Sequence, residues 1–295
     1  MFIEFIKLAI YIILIIIISK YMLVKLLRSI AETLNLGAKT VGNIAGFATS
    51  IPELFTVTLA SISGLASTSL YNIISSNVIN LIQYLATVVI NKNTKVLKNK
   101  ALIIDLVIVL ITIVIPFYMI NVNVKLGVPF AIFLVILFLF FYKINSNAHK
   151  LYLEKYDKEI EEEFELEYKK EIKNKKNNKL LIVKYLIYLI IIGILLYFVG
   201  DKLSNNLENL CYIFNVPEYI IGIILGFGTS IPELITFFEA QRGEKSKEEK
   251  LGVIEATNNL LMSNMLNLFI IQAIGILLIS IIKWKISNIQ ITYLI

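Results

Sequence analysis

The sequence predicts an all-α polytopic membrane protein built around two copies of one helix pair, and three observations predict it. Of its 295 residues, 57% are hydrophobic and the mean hydropathy is +0.77, values outside the range of soluble globules. The apolar residues fall in blocks, several of which reach the roughly 20 residues that a helix needs to cross a bilayer core of about 30 Å. One eleven-residue motif also occurs twice, 180 residues apart.

Taken in order, apolar segments span 2–24, 40–63, 67–90, 101–120 and 127–142. After a polar stretch they resume at 180–200, 217–240 and 251–282, with a short stub at 286–295. The expectation is about eight full transmembrane helices plus a C-terminal stub. The first segment is too long for a signal-peptide core and has no small-residue cleavage site, so it reads as a mature helix. Residues 1–145 form one half, 146–180 a charged connection and 181–295 the second half.

Lysine and arginine set the orientation, because short basic loops stay in the cytoplasm. The loops after spans one, three, five and seven hold 21 of the 28 basic residues. The N-terminus is therefore expected outside and the 146–180 connection in the cytoplasm. That connection carries nine acidic and nine basic residues between Ser146 and Lys179. Tyr152, Tyr156, Ile160, Phe164, Tyr168 and Ile172 recur every four positions, which on a helix makes a narrow apolar stripe. An amphipathic cytoplasmic helix is expected there, joining the halves or acting at the membrane surface, and its balanced charge gives no nucleic-acid signal.

Rare residues exclude whole chemistries. A single cysteine, Cys211, and a single histidine, His149, cannot build a zinc or iron–sulfur site, so any metal is a hard ion held by oxygen. No cofactor is expected. With no nucleophile and base pair in view, the chain does not read as an enzyme. His149, in a charged stretch, reads as a solvated surface residue and Asp105 as an interfacial charge. Glu239 and Glu255 read as partners of the basic residues between Arg242 and Lys250.

The repeat carries the function. GFATSIPELFT at 46–56 and GFGTSIPELIT at 226–236 agree at nine of eleven positions. SSNVINL at 75–81 matches MSNMLNL at 262–268 at the serine, both asparagines and the leucine, with an offset of 187. Five spans separate the copies, an odd number, so the copies face opposite ways. Inverted repeats of this kind build secondary transporters, with the ion site at their interface near the midplane.

Spacing explains the residue types. Thr49, Ser50 and Glu53 share one helix face, as do Thr229, Ser230 and Glu233. Pro52 and Pro232 have no N–H to give the carbonyls of Ala48 and Gly228, and unpaired backbone at membrane depth must find protein, water or a cation. On the second helices Asn72, Ser76 and Asn80 form an oxygen-bearing stripe that Asn259, Ser263 and Asn267 repeat. A glutamate at bilayer centre costs at least about 2.5 kcal/mol and marks an ion or proton pathway by default. One such motif could be a kinked helix with a back-bonded serine; two argue against that.

These residues resemble the cation/calcium antiporters, the sodium/calcium exchanger superfamily, whose two inverted repeats carry G-T-S-x-P-E followed by G-N-x-x-G-S-N-x-x-N/D. The resemblance covers roughly residues 40–90 and 218–272. It implies the inverted-repeat exchanger fold with ten helices, alternating access, and exchange of calcium for sodium. It also implies that Glu53 and Glu233 bridge calcium, that Thr49, Ser50, Thr229 and Ser230 stand beside them, and that Ser76, Asn80, Ser263 and Asn267 complete the sodium and calcium positions.

The sequence departs from this pattern in three ways. Tyr71, Ser75, Asn258 and Met262 replace the small residues of the second motif, so the second helices are expected to approach less closely. Asn267 stands where many prokaryotic members have aspartate, leaving two carboxylates. The offset of 187 places the last residue early in a fourth span, so the last two family helices are expected to be absent or abortive, the chain being either a fragment or a shortened paralogue that covers the gap with a partner such as a second copy of itself. The expected function is a calcium:sodium antiporter in the cell membrane, with calcium and sodium or protons as its transported ions, the lipid bilayer as its partner and no nucleic acid. A calcium/proton antiporter and a transport-inactive membrane scaffold are the alternatives.

Overall fold

The structure is a computed structural model, and it describes residues 2–34, 38–121, 127–152, 179–215, 217–242 and 246–292. Helix α1 (Phe2–Ile18) passes through a π-helical turn at Ser19–Val24 into α2 (Lys25–Leu34). The first repeat copy is α3 (Ala38–Thr49), α4 (Ile51–Ile62) and α5 (Ala66–Ile90). Helices α6 (Lys100–Asn121) and α7 (Val128–Tyr152) complete that half. The second half is α8 (Lys179–Phe214), α9 (Glu218–Thr229), α10 (Ile231–Gln241) and α11 (Ser246–Met265). A second π-helical turn, Leu266–Ile271, then leads into α12 (Gln272–Thr292).

Seven helical stretches of the described residues are long and apolar enough to cross a membrane: 38–62, 66–90, 100–120, 128–152, 183–203, 218–241 and 251–282. Helix α1 is a further apolar helix of 17 residues. The chain is an all-α integral membrane protein.

Two boundaries differ from the sequence expectation. The sixth span runs on to Phe214, because no proline interrupts it before Pro217. The expected stub is not separate at 286–292 either: α12 reaches Thr292 without a break, since no glycine or proline follows Gly275. Most of the expected amphipathic connection, 153–178, lies outside the described residues, and Ser146–Tyr152 belong to the end of α7.

Two large apolar clusters organise the helices, with a smaller one of Ala101, Leu102, Val253 and Ile254 between α6 and α11. Val57, Ile73, Tyr84, Val109, Leu134, Phe237, Leu260 and Phe269 belong to one cluster that joins α4–α7 with α10–α12. Ile15, Leu23, Ile192, Leu196 and Leu203 form another, in which α1 and α8 lie together against Ala48, Ile221 and Leu225.

The copies are inverted, and the contacts prove it. Gly42 faces Glu255 and Asn258 while Gly46 faces Asn259 and Ser263, so α3 runs parallel to α11. Gly222 faces Thr68 and Tyr71 while Gly226 faces Ser75 and Ser76, so α9 runs parallel to α5. Within each copy the pair is antiparallel: Ser61 bonds Ser69 and Asn72 bonds Thr56, and Asn259 bonds Thr236 while Ser263 bonds Glu233. The first helices of the two copies must therefore oppose each other. The α4–α5 turn uses Gly64 at φ +81°, a conformation that glycine adopts without a Cβ clash.

Candidate cation site

The site begins at two matching breaks. Helix α3 ends at Thr49 and α4 starts at Ile51, with Ser50 between them at φ −80°, ψ 0°. Ser230 joins α9 to α10 at φ −81°, ψ 2°. Pro52 and Pro232 each sit in the first turn of the new helix, where a missing N–H costs no ladder bond. The same first turn carries Glu53 and Glu233, both fully buried.

These carboxylates are under-satisfied. Ser263 Oγ donates to Glu233 Oε1 at 2.9 Å, whereas Glu233 Oε2 and both oxygens of Glu53 have no hydrogen-bond partner. The two carboxylates are close enough to act on each other electrostatically, and the Thr229 and Ser76 hydroxyls stand beside Glu53. Asn80 Oδ1, Asn267 Oδ1 and Ser230 Oγ are likewise buried and unpartnered. Buried polar atoms in proteins are normally paired, so six oxygens left over among residues of one site call for a cation. All six are hard donors, the set that calcium or sodium takes.

The remaining candidates fix that set in place. Ser50 Oγ shares its one hydrogen between Gly46 O at 2.9 Å and Ser263 Oγ at 3.0 Å. Thr49 Oγ1 donates to Asn259 Oδ1 at 3.4 Å, and Ser76 Oγ to Gly226 O at 3.3 Å. Thr229 Oγ1 turns back to Leu225 O at 3.0 Å. Thus Thr49, Ser50, Glu53, Ser76, Asn80, Thr229, Ser230, Glu233, Ser263 and Asn267 are all buried, and bonds between the copies tie most of them together.

Asn77 and Asn264 belong to the candidate site although the sequence reading did not assign them. Asn80 Nδ2 donates to Asn264 Oδ1 at 3.1 Å, and Asn267 Nδ2 to Asn77 Oδ1 at 3.2 Å. Asn77 Nδ2 and Asn264 Nδ2 in turn donate to each other's backbone carbonyls at 3.2 and 3.1 Å. This reciprocal ring turns the amide oxygens of Asn80 and Asn267 away from protein partners. Its signal was present in sequence, since Asn77 and Asn264 share the 187-residue offset of Asn80 and Asn267.

Three expectations are corrected here. The second helices do approach closely, because glycines of the first helices make the room: a Cβ on Gly46 would lie 2.6 Å from Asn259 O, and one on Gly226 1.9 Å from Ser75 Oγ. His149 is not a solvated surface residue. It is 5% exposed, and its Nε2 lies 2.8 Å from Asp105 Oδ2. Asp105 is not an interfacial charge but fully buried, with Oδ1 accepting from Asn145 Nδ2 at 2.8 Å. Asn145 and His149 are four apart and share a helix face, a spacing that pointed to a common partner. Glu239 and Glu255 are half-buried, and the lysines expected beside them, Lys245, Lys247 and Lys250, lie outside the described side chains.

A family model described as sodium/calcium exchanger protein matches residues 5–145 and 184–295. Solved structures of the sodium-calcium exchanger NCX_Mj match as well. One soaked with 10 mM Na+ and zero Ca2+ is 22% identical at a TM-score of 0.54, over 92% of this chain and 83% of that one. Another, soaked with 2.5 mM Na+ and 0.1 mM Ca2+, is 21% identical at 0.53, over 94% and 82%. A third, soaked with 2.5 mM Na+ and 10 mM Sr2+, is 21% identical at 0.52, over 94% and 83%. At that identity the likeness is one of fold. Comparison with curated proteins returned no match.

Proposed function

Because the chain belongs to the sodium/calcium exchanger family, we propose that it is a secondary antiporter exchanging calcium for sodium by alternating access. The observation that carries this reading is the pair of buried glutamates, Glu53 and Glu233, one from each inverted copy, in a setting of unpartnered oxygens. A divalent ion between them would neutralise both charges and occupy the oxygens that protein leaves free. Asn80, Asn267 and Ser230 would complete its shell, while Thr49, Ser50, Thr229, Ser76 and Ser263 position the carboxylates and take part when sodium replaces calcium.

The rigid part of the cycle is the repeat core, held by bonds between the copies. Helices α1 and α8, packed together as a separate apolar layer, are the elements that slide over it and expose the site to one side at a time. The protein resides in the cell membrane with its N-terminus outside and residues 146–180 in the cytoplasm, following the basic loops.

The test is calcium-45 uptake into proteoliposomes under an imposed outward sodium gradient. Gradient-dependent uptake above empty vesicles is expected. Uptake that follows a pH gradient and ignores sodium would make protons the coupling ion, and no driven uptake in correctly inserted protein would overturn the antiport reading.

A further inference from the structure

We propose that Asp105 and His149 form a second, proton-binding site, apart from the cation site and coupled to it. Proton binding rests on the geometry of this pair alone, while the coupling rests also on the cation-site reading above. Asp105 on α6 is fully buried, and His149, near the end of α7, is 5% exposed. Oδ1 of the carboxylate accepts from Asn145 Nδ2 at 2.8 Å, and Oδ2 lies 2.8 Å from His149 Nε2. A carboxylate only accepts, so Nε2 carries a hydrogen and donates. The other ring nitrogen, Nδ1, is buried without a partner.

Neither charge state of the ring fully satisfies this pocket. With a neutral imidazole, the buried carboxylate keeps its charge between two uncharged donors, which is unfavourable away from water. With an imidazolium the pair is neutral as a whole, but Nδ1 then holds a buried N–H with no acceptor. A fixed ion pair has one state in which every group is met; this pair has none, so its proton can come and go.

The surrounding elements are largely uncharged toward it. Helix α5 contributes Tyr84, on which Asp105 acts electrostatically. Helix α11 meets α6 through Val253 and Ile254, and the backbone of its half-buried Glu255 lies against Gly42 of α3. The turn before α12 covers α7 with Phe269, stacked on Phe141. Lys98, Lys100, Lys143 and Lys150 are exposed, Lys100 standing 5.7 Å over the ring of Tyr152. Lys283 and Lys285 of α12 lie outside the described side chains.

Two connections lead from the pair to the cation site. Asp105 and Thr112 are seven positions apart on one face of α6, about 10 Å along its axis. Thr112 O accepts from Nδ2 of Asn77 at 3.5 Å, a member of the asparagine ring. The second connection is Tyr84, one turn along α5 from Asn80. Thr257 gives its hydrogen to Val253 O at 2.7 Å, so Tyr84 donates to Thr257 Oγ1 at 2.5 Å. That bond pins α5 to α11, the helices that carry Asn80 and Ser263. A change of one charge at the pair thus acts on α6 and on Tyr84, and through them on the groups that orient the site.

His149 is the one histidine of the chain, so its imidazole signals need no assignment. The experiment follows the full chain, tag-free and labelled with nitrogen-15 histidine, by NMR in lipid nanodiscs from about pH 5 to 9. It compares saturating calcium with chelator and measures calcium-45 binding on the same samples. We expect the His149 signals to titrate, with midpoints in the two states that differ by about 0.5 unit or more. By linkage, calcium affinity then differs about threefold between the proton-bound and proton-free pair. Signals that stay in one form across the range overturn the proton site. Midpoints that agree within about 0.2 unit in protein that binds calcium overturn the coupling. Absence of calcium-45 binding overturns the cation-site reading and the coupling with it, whatever His149 does. Asp105→Asn keeps the shape and removes the carboxylate, and it should abolish the effect of calcium on the His149 midpoint. A folded, calcium-binding Asp105→Asn protein that retains the full shift would overturn the role of the pair.

Discussion

Replacing Glu53 with glutamine separates binding from stability, because the two respond in opposite directions. Both Glu53 oxygens are fully buried without a hydrogen-bond partner, and Glu233 is near enough to repel it. In metal-free protein such a group costs about 1–3 kcal/mol, more when charged. Glu53→Gln keeps the shape, removes the charge and should therefore stabilise the metal-free protein by about 1–3 kcal/mol. Calcium, by contrast, loses one of two counter-charges in a buried setting. Truncating one member of such a pair costs about 2–5 kcal/mol, so calcium affinity should fall roughly 30-fold to several thousand-fold. Glu233→Gln should lose similar affinity but gain less stability, because Glu233 Oε1 already accepts from Ser263. The assays are calcium-45 binding to purified protein and thermal unfolding in chelator at pH 8. A Glu53→Gln protein that binds calcium within threefold of wild type, or that melts lower than wild type without metal, would refute the reasoning.

Other perturbations test the frame around the site. Gly226→Ala puts a Cβ 1.9 Å from Ser75 Oγ and 2.6 Å from Asn72 O, and such overpacking should lower stability by about 1–3 kcal/mol; Gly193→Ala, with nothing within 4 Å, should be silent in the same thermal assay. Asp105→Ala removes the acceptor shared by Asn145 and His149 and should cost about 1–3 kcal/mol in unfolding measurements, leaving calcium affinity within a few-fold. Asn264→Leu frees Asn80 Nδ2 from its acceptor and should weaken calcium binding about 10- to 100-fold, as loss of ligand-orienting groups does, with both carboxylates intact. Spin labels at Tyr212 of α8 and Ile90 of α5, both exposed, should change their separation between calcium- and sodium-loaded protein, whereas labels at Phe47 and Ile82 within the repeat core should not.

Sequence made the repeat pairs legible because three constraints coincide there. Proline needs a helix start, a buried carboxylate needs an ion, and each occurs twice at a fixed offset. That coincidence singles out the ten candidate residues, and the structure buries them all. The close approach of the helices is not legible in Tyr71 and Met262, because the space comes from Gly42, Gly46, Gly222 and Gly226 on the facing helices. Gly42 and Gly46 are four apart, as are Gly222 and Gly226, which puts each pair on one face. His149 and Asp105 were misread for a different reason. Local charge density predicted exposure for His149, but burial is decided by a partner 44 positions away that no local pattern reveals.

The asparagine ring joins these threads. A two-fold arrangement of upside-down copies makes each copy supply the acceptor that orients the other copy's ligand: Asn264 for Asn80, and Asn77 for Asn267. Ser50 to Ser263 and Ser76 to Gly226 cross the same seam. A ligand set assembled across a seam is lost if the seam slides, so motion that opens the site must leave the copies docked. Apart from the repeat core, the described helices that pack against α3 and α9 as an apolar layer are α1, α2 and α8. Apolar contacts without directional bonds can slide at little cost, whereas a reciprocal hydrogen-bond ring cannot. The division of the molecule into a bonded core and a greased outer layer is the one that the proposed alternating access would use.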